Sequence, residues 1–372
     1  MSDNTVHIFV EGHALDGSSQ GVTTYIANLY KNFEARQFNI FVGLEPGSDL
    51  SEYELNGDNI HPIYYSTQNK FWRYTYEIPL LIKRHSISVA HFQYITPLWK
   101  NCSWITTIHD ILPLDFRNQF PLSFQVTRTF FYWVAAKRSD ICLTVSNYTA
   151  ERIRARFGAV KHLEIIENGI DQNALGSDRL GRLSGGSKKP YILCVSRFEN
   201  RKRQHLLLEL IAQGIIDTSK FDMIFVGAAT HERTEFDTRL PAMPSRDRKA
   251  IFRFEHVSTA ELTSLYEDAV LTIYPSLAEG FGLPVIESFA NGTPCFFANN
   301  TAMTDFRDIA PEFAFDNPDD LNRKIEQFLR EPKYFSRSLE NAKQKLLERY
   351  DWSRSAVRLQ KLIFELDGGL NK

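Results

Sequence analysis

The feature that most constrains the fold is a repeated alternation of short apolar runs with longer amphipathic stretches. Runs rich in Val, Ile and Phe predict strands at 6–11, 39–44, 59–64, 88–92, 103–108 and 141–145. Stretches with helical periodicity predict helices at 22–34, 71–84, 119–139 and 147–157. Strands that alternate with helices form parallel sheets with crossover connections. The runs are continuously apolar, as expected for strands that are covered on both faces.

The alternation stops once and then resumes. Gly, Ser and charged residues dominate 172–189, which predicts a linker. Further strands are predicted at 191–195, 221–226, 250–254, 270–274 and 294–298. Further helices are predicted at 203–214, 259–267, 283–291, 318–330, 333–349 and 352–366. We therefore expect an α/β fold of two Rossmann-like, doubly wound domains: residues 1–172, a linker at 173–189, and residues 190–351, followed by a tail helix at 352–372.

Composition narrows the class of protein. The 372 residues include 43 Lys and Arg against 45 Asp and Glu, and this balance argues against nucleic acid as the main partner. The four cysteines form no C-x-x-C pair, so neither a zinc site nor a redox pair is predicted. No apolar run approaches the roughly 18 residues of a membrane span, and no basic segment precedes the first apolar run. We expect a cytoplasmic protein.

In doubly wound sheets, ligands bind beyond the carboxyl ends of the strands. After the first strand, Gly12, Gly17 and Gly21 flank a polar loop that runs into a helix. Glycine permits close approach of a phosphate to the backbone, and helix N-terminal amides attract anions. A plain strand-to-helix turn has the same composition, and the spacing is not the G-x-G-x-x-G of dinucleotide sites.

A histidine beside an acid follows the predicted strand 103–108. His109 at this position suits a residue that orients or polarises a bound substrate. The alternative is an ordinary histidine next to Asp110, which would then cap the following helix.

A cluster of cations follows the predicted strand 191–195. Arg197 and Lys202 precede a helix, with Arg201 and Arg203 beside them. A guanidinium fork and an ammonium near a helix N-terminus together suit a diphosphate. A solvated basic start of a helix is the other interpretation.

Two glutamates follow the predicted strand 270–274. Glu279 lies in a glycine-flanked loop, and Glu287 lies on the helix that Pro284 helps to start. Such loops indicate close backbone approach to a ligand, and a carboxylate at this depth can accept hydrogen bonds from ribose hydroxyls. No Asp-x-Asp, P-loop or G-x-S-x-G motif occurs, so a metal clamp of the Asp-x-Asp type is not expected.

These segments together resemble the retaining glycosyltransferases of family four, the large group-one class with the GT-B fold. YPSLAEGFGLPVIESFANGTP resembles the E-x7-E segment of the family, and VSRFENRKRQ resembles its phosphate-binding Arg-x4-Lys segment. TIHDILPLDF, TVSNYTAERI and IENGID resemble further family landmarks in the same order. The first loop departs from the family because Ser18, Ser19 and Gln20 precede Gly21 where a glycine pair is usual.

The resemblance implies two domains facing across a cleft, a tail helix that crosses back to the N-terminal domain, and transfer of a sugar from a nucleoside diphosphate donor with retention and without a metal or other cofactor. It implies that Arg197 and Lys202 neutralise the diphosphate, that Glu279 and His109 contact the donor sugar, and that Glu287 holds the ribose. It further implies donor contacts at Gly21, His256, Val257, Phe281, Gly282 and Leu283.

The sequence says less about the acceptor and about membrane contact than about the donor site. We expect a glycan or lipid-linked glycan acceptor in bacterial surface polysaccharide synthesis, with GDP-mannose as the first donor and UDP-hexoses second, both from family frequency. The segment 115–138 mixes aromatic residues with Arg117, Arg128, Lys137 and Arg138, which is typical of a surface-lying amphipathic helix and leaves peripheral contact with the inner membrane face open. A helix packed on its own sheet is the alternative. A phosphorylase, an epimerase and a non-catalytic nucleotide-sugar scaffold remain alternatives for the function.

Overall fold

The computed structural model describes residues 5–16, 21–117, 121–171, 189–230 and 233–370. The chain divides into two compact units, one made of residues 1–169 and 351–372 and the other of residues 170–350. Apart from Lys189, the predicted linker 173–189 lies outside the described residues.

The first unit is built on a seven-stranded parallel sheet in the order β3-β2-β1-β4-β5-β6-β7. Its strands are β1 Val6–Glu11, β2 Phe38–Leu44, β3 Ile60–Tyr64, β4 Val89–Gln93, β5 Ser103–Thr107, β6 Ile141–Thr144 and β7 Leu163–Ile165. Its helices are α1 Gly21–Tyr30, α2 Lys70–Trp72, α3 Ile78–Arg84, α4 Leu112–Asp115, α5 Leu122–Arg138, α6 Asn147–Phe157 and α15 Trp352–Leu370. Central strands β4 and β5 are buried along their whole length, as their continuous apolar runs predict.

The second unit carries a six-stranded parallel sheet in the order β10-β9-β8-β11-β12-β13. Its strands are β8 Tyr191–Val195, β9 Asp222–Val226, β10 Ile251–Phe254, β11 Leu271–Tyr274, β12 Cys295–Ala298 and β13 Ala314–Phe315. Its helices are α7 His205–Ala212, α8 Glu235–Arg239, α9 Ser245–Arg248, α10 Thr259–Asp268, α11 Leu283–Ala290, α12 Thr304–Arg307, α13 Pro318–Arg330 and α14 Ser336–Arg349. Two parallel α/β sheets in tandem confirm the predicted fold class.

Several elements differ from the sequence-based expectation. The helix predicted at 71–84 is interrupted by a π-helical turn over Arg73–Glu77. Pro79, in the first turn of α3, has no backbone N–H to donate to the preceding turn, which favours the wider turn. The helix predicted at 333–349 begins instead as a 3-10 turn over Pro332–Phe335. Strands β7 and β13 are too short for an apolar pattern to reveal them.

The tail helix α15 belongs to the first unit, although it follows the second in sequence. Leu359 and Ile363 on α15 are fully buried, and α15 packs against α1 and β4. Trp352 at its start makes an edge contact with Tyr25 of α1, with ring centroids 6.0 Å apart. The predicted return of this helix to the N-terminal domain is therefore confirmed.

Packing of α15 supplies a test of this arrangement. Ile363→Ala removes buried methyl groups where the surroundings relax only in part, so we expect the free energy of unfolding of the first unit to fall by about 2–5 kcal/mol. The matched control Val357→Ala, at a position 63% exposed on the same helix, should change it by less than about 0.5 kcal/mol. Urea unfolding followed by circular dichroism measures both, and equal effects of the two substitutions would contradict the burial of this helix face.

Candidate active site

The strand order of the second unit places its site. The order reverses between β8 and β11, which are hydrogen-bonded neighbours in the sheet although four α-helices and two strands separate them in sequence. Ligands of doubly wound sheets bind at such a reversal, outside the carboxyl ends of the two strands. The segment that contains Arg197 and Lys202 follows β8, and the segment that contains Glu279 follows β11. The topology therefore brings the two predicted segments to one edge of the sheet.

The loop after β8 is shaped by its own side chains. Residues Asn200–Lys202 form a 3-10 turn that ends at Arg203, whose backbone is left-handed with φ of 49°. The Gln204 side chain donates to the Ser196 hydroxyl at 2.9 Å and to the Arg197 carbonyl at 2.8 Å. The Arg203 Nε donates to the Pro275 carbonyl at 2.7 Å and so ties this loop to the one after β11. Arg203 has a role in loop geometry rather than in presenting charge.

A buried ion-pair cluster joins the two loops. The Lys202 ammonium contacts Glu279 Oε1, and the Tyr274 hydroxyl donates to the same oxygen at 2.6 Å. The Arg201 guanidinium donates to Glu279 Oε2 at 3.1 Å and to the Ala278 carbonyl at 2.8 Å. Lys202 and Glu279 are only 7% and 8% exposed, so each depends on the other for compensation of its charge.

The charge states in this cluster follow from its contacts. Burial acts to raise the pKa of Glu279, but the charges of Lys202 and Arg201 outweigh burial and lower the pKa to about 2. Burial, with the Arg201 charge adding to it, lowers the pKa of Lys202, while Glu279 acts in the opposite direction. Glu279 is therefore an ionised acceptor of hydrogen bonds at neutral pH and has no proton to give.

Arg197 lies at the exposed end of a chain of charges. Its side chain is 55% exposed, and its Nε lies 3.6 Å from Glu199. Glu199 in turn accepts from Arg201 at 2.7 Å, and Arg201 reaches Glu279. The two predicted cations thus occupy different settings, one open to solvent and one buried, and alternating charges connect them.

The loop after β11 leads into α11 through a residue that only glycine suits. Gly282 caps the helix with φ of 115°, and a Cβ atom there would lie 3.0 Å from Phe306. Phe281 is buried, packing edge-on against Phe306 at 5.5 Å. The backbone at Phe281, Gly282 and Leu283 is thereby fixed at the positive end of α11, where amides attract anions.

Glu287 lies on α11 and is held by a tyrosine. Tyr266 of α10 donates its hydroxyl to Glu287 Oε2 at 2.9 Å. Burial raises the pKa of Glu287, and the Tyr266 hydrogen bond opposes this in part. Tyr266, itself 2% exposed, is a positioning residue that the sequence did not reveal.

The predicted base-binding residues lie at the carboxyl end of the edge strand β10. His256 is exposed, and Val257 is half-buried against the core cluster that includes Tyr266. Ser258 then begins α10 with a capping box, since its hydroxyl accepts from the Glu261 amide and Glu261 accepts from Ser258 in return.

In the first unit, polar groups collect where β1 ends. Gly12 is packed tightly, because a Cβ atom there would lie 2.8 Å from Val42 of β2. Glu11 is fully buried and accepts from the His13 ring at 2.6 Å. The Glu11 charge raises the pKa of His13. Gly21 is the first residue of α1, and Gly17 lies outside the described residues.

His109 lies at the carboxyl end of β5, where the sequence predicts it. Its Nε2 is hydrogen-bonded to Gln93 Oε1 at 2.8 Å. Its ring contacts the Tyr25 ring edge-on, with ring centroids 4.8 Å apart. Burial lowers the pKa of His109 to about 3, with the neighbouring His91 acting in the same direction. The imidazole is therefore neutral at physiological pH. Because Gln93 Oε1 can only accept, Nε2 carries the proton and Nδ1 the lone pair.

Sequence reasoning missed the residues that hold the site rather than those that face it. Arg201, Tyr274 and Gln93 carry no motif of their own, and Arg201 was one of several cations in a basic run. The Gln93 side-chain amide nitrogen is buried without a hydrogen-bond partner among the described residues, which marks a donor directed at this strand end. A polar residue ending a fully buried strand is the one signal that the sequence offers for Gln93.

The side-chain clusters and the helices of the described residues bear on metal binding and on membrane crossing. Within 5–16, 21–117, 121–171, 189–230 and 233–370, no group of three or more His, Cys, Asp or Glu side chains is arranged to hold a metal ion. In the same ranges, no helix is both long and apolar enough to traverse a bilayer. Metal independence stays a prediction.

Two family models match successive parts of the chain, and the gap between them falls within the predicted linker 173–189. The model described as Glycosyltransferase Family 4 matches residues 19–174, and the model described as Glycosyl transferases group 1 matches residues 183–345. The two family models and the fold together identify a glycosyltransferase with GT-B architecture. The chain belongs to the group 1 glycosyltransferases of the family 4 type.

Named relatives are distant and differ in length. The serotype-specific mannosyltransferase WbdA of Escherichia coli is 25% identical over 60% of this chain and 29% of its own length. The O-antigen chain mannosyltransferase RfbU of Salmonella typhimurium is 26% identical over 60% of this chain and 59% of its own. A GDP-mannose-dependent monoacylated α-(1-6)-phosphatidylinositol monomannoside mannosyltransferase of Corynebacterium glutamicum is 26% identical over 42% of this chain and 43% of its own. The chain therefore spans less than two thirds of each of these relatives.

Among solved structures, the sucrose-phosphate synthase of Thermosynechococcus elongatus superposes with a TM-score of 0.79. The superposition covers 98% of this chain and 100% of that one at 16% identity, so the likeness concerns the fold.

The pKa of Glu279 gives a pH test of the buried cluster. A folded-state pKa of about 2 lies below the ordinary 4.5, so the contribution of the carboxylate to stability is full above pH 4.5 and is lost as the pH falls toward 2. Glu279→Gln should therefore lower the free energy of unfolding by about 3–5 kcal/mol at neutral pH, because Lys202 loses its partner. The difference between wild type and variant should close as the pH falls.

Urea unfolding at a series of pH values measures this difference. Glu340→Gln, at an exposed position of the same unit, should differ from wild type by less than about 0.5 kcal/mol throughout. A Glu279→Gln deficit that stayed constant from pH 7 to pH 2 would show that the carboxylate is not ionised by its cationic neighbours.

Proposed function

We propose that the protein is a retaining, metal-independent hexosyltransferase that acts on a nucleoside diphosphate sugar and a glycan or lipid-linked glycan acceptor. The observation that carries the proposal is the buried Lys202–Glu279 pair, joined by Arg201, at the point where the strand order of the second unit reverses. In a chain of this family, that position is suited to a departing diphosphate.

We assign mannose as the first candidate sugar and GDP-mannose as its donor, with UDP-hexoses second. The names of the E. coli, S. typhimurium and C. glutamicum relatives support mannose, and the last of these specifies GDP-mannose. The O-antigen relative supports a role in bacterial surface polysaccharide synthesis. At 25–26% identity these names support a sugar class and leave linkage and acceptor to experiment.

The chemistry assigns the cations to the leaving group. The bond between the anomeric carbon and the diphosphate oxygen breaks, and its electron pair stays on the diphosphate. An acceptor hydroxyl oxygen bonds to the anomeric carbon on the face from which the diphosphate departs, which retains the configuration, and the hydroxyl proton passes to an oxygen of the departing diphosphate. Preorganised cations stabilise the charge that develops on the diphosphate, usually the largest catalytic effect of such a site. Arg197 supplies a solvent-exposed guanidinium that can form two parallel hydrogen bonds, and Lys202 supplies a buried ammonium that acts as a point charge.

The acidic residues and His109 are assigned to recognition. Glu279, ionised with a pKa of about 2, accepts hydrogen bonds from sugar hydroxyls and does not act as a general acid. Glu287, oriented by Tyr266, accepts from ribose hydroxyls. Neutral His109 offers Nδ1 as an acceptor to a sugar hydroxyl. Gly21 and the amides of Phe281 and Gly282 contribute backbone donors, and the segment at His256 and Val257 lies against the nucleotide base.

Removal of the cations tests the diphosphate assignment. Arg197→Ala should lower kcat on the order of 100-fold, comparable to the loss of one preorganised donor, and Lys202→Ala should do the same. Arg197→Ala is the cleaner variant because this side chain is more than half exposed. Turnover of the donor sugar in the presence of acceptor measures the effect.

Arg337→Ala, at an exposed position of the same unit, is the matched control and should leave the rate within about twofold. Near-normal rates for Arg197→Ala, in a protein that unfolds at the wild-type temperature, would remove the diphosphate assignment.

Calorimetric titration of GDP, UDP and ADP, with and without EDTA, tests the donor class and metal independence together. We expect GDP to bind most tightly and EDTA to leave its affinity unchanged. Glu287→Ala should weaken the binding at least tenfold because the ribose loses a carboxylate acceptor, since a hydrogen bond to a charged group contributes about 1.5–3 kcal/mol.

Each other outcome decides against one part of the proposal. Preference for UDP would replace the donor, and loss of binding in EDTA would contradict metal independence. Absence of binding by any of the three nucleotides would favour a non-catalytic scaffold or a phosphorylase-like enzyme.

A further inference from the structure

Helix α5 carries its large apolar side chains on the side that faces solvent. Its buried residues are small or polar-tipped: Gln125, Tyr132, Ala135 and Ala136. The large apolar side chains are instead exposed: Leu122 by 74%, Val126 by 63%, Phe130 by 54% and Trp133 by 48%. These four recur every three or four residues and so lie along one side of the helix. One side of α5 packs on its own sheet, and the other side presents apolar residues to solvent. The two interpretations of the segment 115–138, a helix packed on its sheet and a surface-lying amphipathic helix, therefore each describe one side of this helix.

Two further segments expose the same kind of side chain. Around the π-helical turn Arg73–Glu77, Trp72 and Tyr76 stack with ring centroids 5.1 Å apart and are 50% and 61% exposed. In the loop after β4, Trp99 is 66% exposed. Segments 70–84, 98–100 and 122–138, here called the docking face, hold eleven of the fifteen exposed large hydrophobic side chains among the described residues. Such a concentration is atypical of a surface that stays in water.

Hydrogen bonds join the three segments into one surface. The Asn101 side chain donates to the Pro79 carbonyl of α3 at 2.9 Å. The Arg138 guanidinium of α5 donates to the Leu98 carbonyl at 2.8 Å, and Lys100 donates to the Arg138 carbonyl at 3.1 Å. The loop 98–101 therefore bridges α3 and α5 within the first unit.

The charges of the docking face have one dominant sign. Its three segments contain eight Lys and Arg residues, of which only Arg73 is buried, and one acidic residue, Glu77, in a chain whose total charge is −2. Lys70, Lys83, Arg84, Lys137 and Arg138 are exposed. Glu77 is engaged by the backbone N–H of Thr67 at 3.2 Å. The face thus presents an apolar, aromatic surface with a cationic border.

We propose that the docking face binds the surface of an anionic lipid bilayer. Tryptophan and tyrosine favour the boundary between headgroups and acyl chains, and lysine and arginine beside them attract anionic headgroups. Exposed apolar residues along α5 suit shallow insertion in the plane of the bilayer. The inference extends the proposed function, because a lipid-linked glycan would be met at such a surface, but it rests on exposure and charge and not on the identity of the donor.

Charge decides between a bilayer and a second copy of this chain. Arg73 is buried and paired with Glu45, and Lys100 is paired with Asp140. The six other cations of the face still outnumber its one acid, so the face is not complementary to itself, and pairing of two copies would place like charges together. The described part of the second unit exposes Tyr334 as its one large hydrophobic side chain, which offers no matching apolar surface for the docking face.

Vesicle flotation tests the proposal without any substrate. The full chain is mixed with vesicles of phosphatidylcholine alone or of phosphatidylcholine with phosphatidylglycerol. We expect at least tenfold stronger partitioning into the anionic vesicles, and a decrease as salt is added, because salt screens the cations. Each exposed cation near the surface accounts for about fivefold in partitioning.

Two sets of substitutions separate the apolar and cationic contributions. Trp72→Ser combined with Trp99→Ser and Trp133→Ser should lower partitioning at least tenfold, as should Lys83→Gln combined with Arg84→Gln. All five side chains are exposed, so their replacement leaves the cores intact. The controls are Tyr334→Ser with Val357→Ser for the apolar set and Lys333→Gln with Arg337→Gln for the cationic set, all exposed and outside the docking face.

The outcomes are distinguishable from those of the nucleotide experiment. Equal binding to neutral and anionic vesicles, no binding to either, or equal losses in test and control variants would overturn the proposal. A concentration-dependent dimer that the triple tryptophan variant abolishes, together with absent vesicle binding, would assign the face to a second copy instead. GDP titration of the same variants should match wild type; if GDP does not bind wild type, the donor assignment fails while the vesicle result stands.

Discussion

The contact between Lys202 and Glu279 is the constraint on which the second unit depends. Two charged side chains, each less than a tenth exposed, are tolerable only because each compensates the other and because Tyr274 and Arg201 occupy further hydrogen-bonding positions of the carboxylate. The pair fixes the loop after β8 against the loop after β11. Within the second unit, the groups assigned to the donor, from the exposed Arg197 to the amides at the start of α11, are placed relative to that junction.

The two units share a parallel-sheet topology but differ in the charge of the side chains at the carboxyl ends of their strands. In the second unit, the strand-order reversal gathers ionised groups of both signs. In the first, the strand ends present neutral or internally paired groups: His109 is kept uncharged by burial, and Glu11 is bonded to His13. The charged sheet edge of the second unit is better suited to an anionic leaving group, and the neutral sheet edge of the first unit is better suited to an uncharged sugar. The contrast arises from side chains at strand ends, since the sheets themselves are alike.

How much the sequence predicted depends on how local each cause is. The strand 191–195 and the helices 147–157 and 318–330 agree with the structure to the residue, because apolar periodicity and the caps Ser146 and Asn317 are local signals. Arg201 and Tyr266 were missed because their roles depend on partners about 80 and 20 residues away, Glu279 and Glu287. The docking face was anticipated only at α5. The segment 70–84 has a helical apolar pattern, and nothing in that pattern distinguishes side chains that face the sheet from those that face water.

The position of α15 also governs the order in which the chain can become folded during synthesis. Residues 170–350 form a contiguous unit and are complete before α15 has been made. The first unit, although it is translated first, lacks the helix that covers α1 until residue 370 has been added. The amino-terminal unit is therefore the last part of the molecule that can complete its fold. Until then its uncovered apolar surface on α1, together with the aromatic docking face, is the part of the nascent chain most in need of a chaperone or a membrane.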